Sequence, residues 1–158
     1  MVEAISRGDM AHATFLGFDF GEKKTGVAVG QRITGTARGL ETIRSHTPEA
    51  LWSSIGRLVE AWEPQAFVVG VPFPIVETTE KNPVIDLIKT FCGDLEKRYQ
   101  RPVHIMDEAL STRESQSLFY TQSHRKSVNF RDVKDEIAAQ LILQTWLDHT
   151  APRGSLDD

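Results

Sequence analysis

Cysteine is almost absent from this chain. Its 158 residues include one, Cys92, so no disulfide framework, CxxC pair or cysteine-type zinc cluster can form within it. A lone thiol fits a reducing compartment, and the cytoplasm is the expected location. Long apolar runs are missing too. No stretch approaches the length of a transmembrane helix, and Met1 to Ala13 carries Glu3, Arg7 and Asp9 where a signal peptide would have an apolar core. No membrane partner is expected. Charge of one sign is not in large excess. A net charge of -4 argues against a basic coat protein for nucleic acid, yet it allows an enzyme with one local cationic patch. Histidine pairing is lacking as well: His12, His46, His104, His124 and His149 show no i, i+4 spacing, and His104 reads as a strand residue rather than a ligand. No internal repeat or low-complexity tract occurs.

What is present describes an ordinary folded domain. Hydrophobic residues make up 40% of the chain and charged ones 25%, a globular balance. A chain this long buries roughly two-thirds of its extended surface without a covalent or metal staple. One domain over 14–150 is expected, between a disordered tail at 1–13 and a flexible tail at 151–158.

The pattern inside that domain alternates between two periods. Thr14–Phe20, Lys24–Gly30 and Thr36–Arg44 read as strands joined by tight turns, hence an antiparallel meander. Thr47-Pro48 is a helix start, and Leu51, Ile55, Leu58, Val59 and Trp62 mark its inner face until Pro64. Ala66–Val71 is continuously apolar, as a buried parallel strand is. Asn82-Pro83 opens a second helix with Val84, Leu87, Ile88, Phe91 and Leu95 inward, and Cys92 with them as core packing; Trp52, Trp62 and Trp146 also read as core. Pro102–Met106 is another strand. Ser111-x-x-Glu114 is a capping box for a short helix, and a last helix runs from about Val133 to His149, with Asp132 as a possible cap. The expected fold is α/β: a five-stranded mixed sheet, strands 1–3 antiparallel and 4–5 parallel, with helices on both faces.

Three acids stand where chemistry needs them. Asp19 lies near the end of the first strand among apolar neighbours, on one face with Phe15 and Gly17. A carboxylate there needs a pair, a hydrogen bond or a cation; capping of the next turn is the plainer alternative. Asp107 and Glu108 follow a later strand and point to opposite faces, so one of the two enters any shared site; Glu108 is on the side of His104 and Met106. Asp135 shares a helical stripe with Ala138, Ala139, Ile142 and Trp146, so it faces the packed side. A first-turn acid favoured by the helix dipole is its alternative role. Acids at two strand ends and a helix start suit Mg²⁺ or Mn²⁺, which take oxygen donors. Cations lie close by. Lys23 and Lys24 follow Asp19 in a Gly-bounded turn, and a loop leading to Asp135 holds Arg125, Lys126, Arg131 and Lys134, all candidate contacts for substrate phosphate.

Phe18-Asp19-Phe20-Gly21, Gly26-Val27-Ala28-Val29-Gly30, Val69-Gly70-Val71-Pro72, Asp107-Glu108-Ala109-Leu110-Ser111-Thr112 and the Asp135 helix together resemble the YqgF (RuvX) family. The resemblance covers about Thr14 to His149. It implies an RNase H-like fold and a nuclease that matures the 5′ end of pre-16S ribosomal RNA; members are also described as Holliday junction resolvases. The family's acidic positions fall on Asp19, Glu108 and Asp135. Two departures stand out: Ala109 replaces the family's usual Arg, and Phe73-Pro74-Ile75-Val76-Glu77 replaces an Asn-Met-Asp-Gly-like turn.

The leading expectation is therefore a Mg²⁺- or Mn²⁺-dependent phosphodiesterase in ribosome biogenesis, acting on pre-16S rRNA as a monomer or weak homodimer. A resolvase acting on branched DNA is the alternative, and a dimer would favour it. A scaffold that binds RNA without cutting is a third reading. Asp19-x-Gly21 followed by Gly26 also resembles the phosphate loop of actin-like ATPases, but those close two such domains on a nucleotide and this chain has one copy of the motif.

Overall fold

Successive residues of the first strand are apolar on both sides, so that strand has to lie between two layers. In the computed structural model, which describes residues 12–71, 83–107 and 130–150 and the side chains of all of these but 130–133, strand β1 (Thr14–Asp19) is the central strand of a five-stranded sheet. Strands β2 (Lys24–Gln31) and β3 (Thr36–Arg44) return antiparallel beside it. Strands β4 (Ala66–Val71) and β5 (Val103–Asp107) add in parallel on its other side. Helix α1 (Pro48–Trp62) leads into β4 and helix α2 (Pro83–Tyr99) into β5, the crossovers that parallel strands require. Helix α3 (Phe130–His149) comes last. The strand order is β3-β2-β1-β4-β5, the mixed sheet that the sequence pattern describes.

The start of α1 follows from its first two residues. Thr47 is extended at φ -135° and ψ 151°, and its side chain accepts a hydrogen bond from the Ala50 amide, relieving one of the helix's unpaired donors. The helix stops where Glu63 turns left-handed (φ 46°) and donates to the Val59 carbonyl, just before Pro64.

Each face of the sheet has its own core. Leu16, Phe18, Val27, Val29, Phe67 and Val69 pack against Ile55 and Leu58 of α1 and Ile88, Phe91 and Leu95 of α2. Phe15, Ala28, Ala66, Val68 and Met106 pack against Ala139, Ile142, Leu143 and Leu147 of α3. Strand β4 is buried at every position. Small residues under α3 let it sit low on the sheet: a Cβ on Gly17 would come within 2.8 Å of the Leu143 Cβ, and one on Gly30 within 2.9 Å of Leu147.

Two expectations need correction. In α2, Ile85 rather than Val84 is buried, and Val84 (45% exposed) and Leu87 (38%) face outward. The helix is turned so that Ile85, Ile88, Phe91 and Leu95 meet the sheet, and one helical face cannot hold all the apolar residues present. Helix α3 begins at Phe130, so Asp132 lies inside its first turn instead of capping it, and Arg131 and Lys134 belong to the helix rather than to a loop. Cys92 and the three tryptophans pack half-buried against the cores, as expected. The expected helix at Ser111–Glu114, the segment Phe73–Glu77, Glu108, Ala109, Arg125 and Lys126 lie outside the described residues, as do residues 1–11 and 151–158. Among the described residues no helix is long and apolar enough to cross a membrane.

Candidate active site

Asp19 is the last residue of β1 and pairs in register with Gly26 of β2. Directly paired residues of neighbouring strands present their side chains to the same face. Alternation from Phe15, which packs against α3, through Gly17, which lies under Leu143, puts Asp19 on the α3 face. Position 26 on that face is where α3 comes closest. A Cβ on Gly26 would overlap the carbonyl oxygen of Asp135. The Asp135 turn therefore rests on the backbone of β2, beside the register partner of Asp19. Two acids 116 positions apart in sequence are brought together by a glycine that neither adjoins.

The sides of α3 divide the work. Ala139 and Ile142 pack toward β1, β4 and β5 with Val68 and Met106, and Trp146 meets Phe15 edge-on at 4.9 Å between ring centroids. Asp135, half-buried, heads that stripe as its spacing predicts. The neighbouring stripe, Glu136, Gln140 and Gln144, runs along β3. The Gly39 amide donates to Gln140 Oε1 at 3.0 Å and the Ala37 amide to Gln144 Oε1 at 2.9 Å. The Thr42 hydroxyl donates to Glu136 Oε1 at 3.4 Å. Burial raises the Glu136 carboxyl above its ordinary pKa; the Thr42 hydroxyl and Arg44 oppose the rise, while the charges of Glu41 and Asp135 add to it.

Of the other candidates, Lys23 and Lys24 are exposed in and just after the turn that follows Asp19, and Lys134 is exposed on the first turns of α3. Asp107 pairs with Val71, whose side chain lies in the α1/α2 core. Asp107 thus stands on the face away from Asp19, one half of the expected split of the Asp107-Glu108 pair. The His104 ring rests against Trp146 at 5.0 Å between centroids, so it serves packing. Among the described residues no group of three or more His, Cys, Asp or Glu side chains gathers as a metal site would require; Asp19 and Asp135 are the two described members of the acidic set. Sequence reasoning missed Gly26 as the seat of Asp135, and it missed Glu136 with Thr42. The signal for the first was present, since glycine at four positions on one sheet face (Gly17, Gly26, Gly30 and Gly39) marks a close helix.

A mixed sheet of this order with helices on both faces is the RNase H-like fold. Solved structures agree on the fold. Thermus thermophilus RuvC in complex with a Holliday junction superposes with a TM-score of 0.57 at 16% identity, over 89% of this chain and 98% of that one. The fowlpox virus resolvase with its junction DNA gives 0.55 at 12% identity, over 88% and 99%. Within that class the chain belongs to the RuvX family, whose model, described as a Holliday junction resolvase, matches residues 13–149. A relative from Methylococcus capsulatus is 49% identical over 154 residues, 96% of this chain and 98% of its own length, and one from Legionella pneumophila is 38% identical over 141 residues, 89% and 99%. Both carry the provisional name of pre-16S rRNA nuclease.

Proposed function

We propose that this protein is a divalent-metal-dependent nuclease that hydrolyses phosphodiester bonds at the 5′ end of the 16S ribosomal RNA precursor, in the cytoplasm, as a monomer or weak homodimer. The observation that carries the reading is the seating of the Asp135 turn on Gly26, the register partner of Asp19. The family and the names of the relatives supply the substrate class.

Asp19 and Asp135 offer hard oxygen donors on one face of the sheet, and such donors fit Mg²⁺ or Mn²⁺. Glu108, two residues beyond the buried Met106, is proposed as the third ligand. Bound there, the ion would supply charge neutralisation at the phosphate and a lowered pKa for water. The protein's own share is positional. Gly26 fixes the height of Asp135, and the β1–β2 pairing fixes Asp19. Lys23, Lys24 and Lys134, exposed near the two acids, are proposed contacts for substrate phosphate, and Arg125, Lys126 and Arg131 are proposed with them from the sequence alone.

The test is cleavage of a 5′-extended 16S precursor with Mg²⁺ or Mn²⁺, beside the Asp19→Asn protein at matched stability. Cleavage that Asp19→Asn lowers by at least about a hundredfold is expected, the scale seen when a group acting at the transition state is removed. Cleavage that survives chelation would defeat the metal reading. A four-way DNA junction in the same assay tests the second reading, which the family's description favours. If only the junction is cut, by a stable dimer, resolvase activity replaces RNA maturation. RNA binding without cutting of either substrate would identify a scaffold.

A further inference from the structure

Asp19 faces α3, but the next residue faces the other way. Phe20 points to the α1/α2 side of the sheet, where its ring stacks on Phe91 at 4.6 Å between centroids, and Phe91 in turn stacks on Trp52 at 5.4 Å. Above this row of rings lies a hollow of about 220 Å³. Phe20, Trp52, Phe91 and Leu87 form its apolar walls, and Thr90 and Asp94 of α2 place polar groups on its rim. A second hollow of about 520 Å³ shares Phe20, Glu22 and Leu87 with the first and runs along Lys23 and Lys24. Val84 and Leu87, the two exposed apolar residues of α2, line this continuous groove.

The charges along the groove select an occupant. Its entrance carries the exposed ammonium groups of Lys23 and Lys24 and the carboxylate of Glu22, beside the strand end that holds Asp19. Its inner rim carries an acceptor, the Asp94 carboxylate. A purely apolar peptide side chain would use neither. An anionic lipid would suit the lysines but would not suit a hydroxyl and a carboxylate beyond them. A nucleotide uses more of the lining than either: phosphate at the two lysines, whose charge outweighs that of Glu22 beside them, a flat base between ring and aliphatic walls, and N–H donors of the base edge toward Asp94.

We infer that this hollow is a base pocket, which takes one unpaired nucleobase from the nucleotide adjoining the cleaved phosphodiester while Lys23 and Lys24 hold its phosphate. The inference rests on the nuclease reading for the path of the strand past Asp19. It adds that the strand is single or locally unwound at the site, because a base within a duplex has both faces covered by stacking and its edge already paired. Stacking on aromatic walls tolerates any base, so the pocket confers strand selectivity rather than sequence selectivity.

The experiment uses the full-length protein in EDTA, titrated with AMP, GMP, CMP, UMP and ribose 5-phosphate and followed by amide chemical shifts in two-dimensional NMR. The nucleotides are expected to shift the amides of Phe20, Leu87 and Thr90 and to bind about tenfold more tightly than ribose 5-phosphate, a difference of about 1.4 kcal/mol. Leu87→Ser, which removes a wall, and Thr90→Trp, which fills the space from an exposed position, are each expected to erase that advantage and leave ribose 5-phosphate binding unchanged. Equal affinities for nucleotide and ribose 5-phosphate, or shifts confined to Lys23 and Lys24, would overturn the pocket. So would an advantage that persists in both variants. No cleavage is read here. A protein that cuts RNA but shows no base-dependent shift keeps the nuclease reading and loses the pocket, and the reverse result separates the two the other way.

Discussion

Gly26 is the residue on which the spacing of the site depends. Any side chain there meets the Asp135 carbonyl, and the helix has to lift. Overpacking of this kind costs about 1–3 kcal/mol, but the displaced element also carries a proposed ligand. Gly26→Ala is therefore expected to lower cleavage well beyond its loss of folded protein, measured as kcat at a temperature where both forms are fully folded. Gly39→Ala is the graded control: its Cβ would meet the Glu136 Cβ at 3.0 Å and the Glu136 carbonyl oxygen at 3.1 Å, tight contacts rather than an overlap, so a smaller effect on both stability and cleavage is expected. A second residue carries a prediction of a different kind. Burial pushes the Cys92 thiol from 9.0 up to about 11, and the thiolate is the reactive form. At pH 8 the native protein should react with iodoacetamide about a hundredfold more slowly than the unfolded chain, as the two thiolate populations dictate. The linkage has a definite sign. The folded state holds this proton more tightly, so Cys92 leaves stability unchanged below pH 9 and lowers it as pH rises from 9.0 toward 11; a Cys92→Ala protein should lose that segment of the thermal-stability profile.

Helix α3 and strand β3 form a pair joined by side chains rather than by a ladder. β3 is an edge strand, and the outward amides of Ala37 and Gly39 would be open to another chain. Gln144 and Gln140, one turn apart, accept from them, and the Gln144 amide nitrogen also donates to the Gly35 carbonyl at 2.8 Å. Gln144→Ala removes both of these contacts and an exposed donation to Asp148 Oδ1 at 3.0 Å, and should cost about 1–2 kcal/mol, read as a lower denaturation midpoint with an unchanged m-value. The Gln140→Ala/Gln144→Ala double variant should in addition self-associate, seen as concentration-dependent light scattering. None of this was legible in the sequence, because glutamines on a helix read as a solvated face until the strand beneath them is known. Other features were legible for reasons equally local. Strands β3 and β4 fall where turn residues and apolar continuity put them, and Thr47-Pro48 caps α1 with no need of tertiary context. The helix ends and phases that failed are those set by partners. Asp132 has the look of a cap, but the chain is already helical at Phe130, and Val84 and Leu87 yield the core to Ile85 because the sheet below α2 admits only one of the two faces. The acids at Asp19 and Asp135 could be named from burial logic alone, whereas their meeting point needed the β1–β2 register and the crossing of α3.

At the scale of the whole molecule, an acidic protein has to hold a polyanion. With a net charge of -4, long-range attraction is not available, and binding has to come from a few cations facing the substrate against a repulsive background. That predicts a particular salt response. Each phosphate neutralised contributes about 0.7 to the slope of log K against log salt for a single strand. The six proposed contacts, Lys23, Lys24, Arg125, Lys126, Arg131 and Lys134, then set a slope of about -4, far from the steep dependence of proteins that coat nucleic acid. Lys23→Gln/Lys24→Gln should weaken binding of a single-stranded RNA at 100 mM salt and make the slope shallower by about 1.4, measured by fluorescence anisotropy in EDTA between 50 and 200 mM salt. The base pocket makes the same experiment more telling. Stacking releases no counterions, so Leu87→Ser should lower affinity by a similar factor at every salt concentration and leave the slope where it was. Two parallel lines for Leu87→Ser and two converging lines for the lysine variant would divide the binding of the strand into its electrostatic and stacking parts; a changed slope for Leu87→Ser would mean that the groove orders the lysines rather than holding a base.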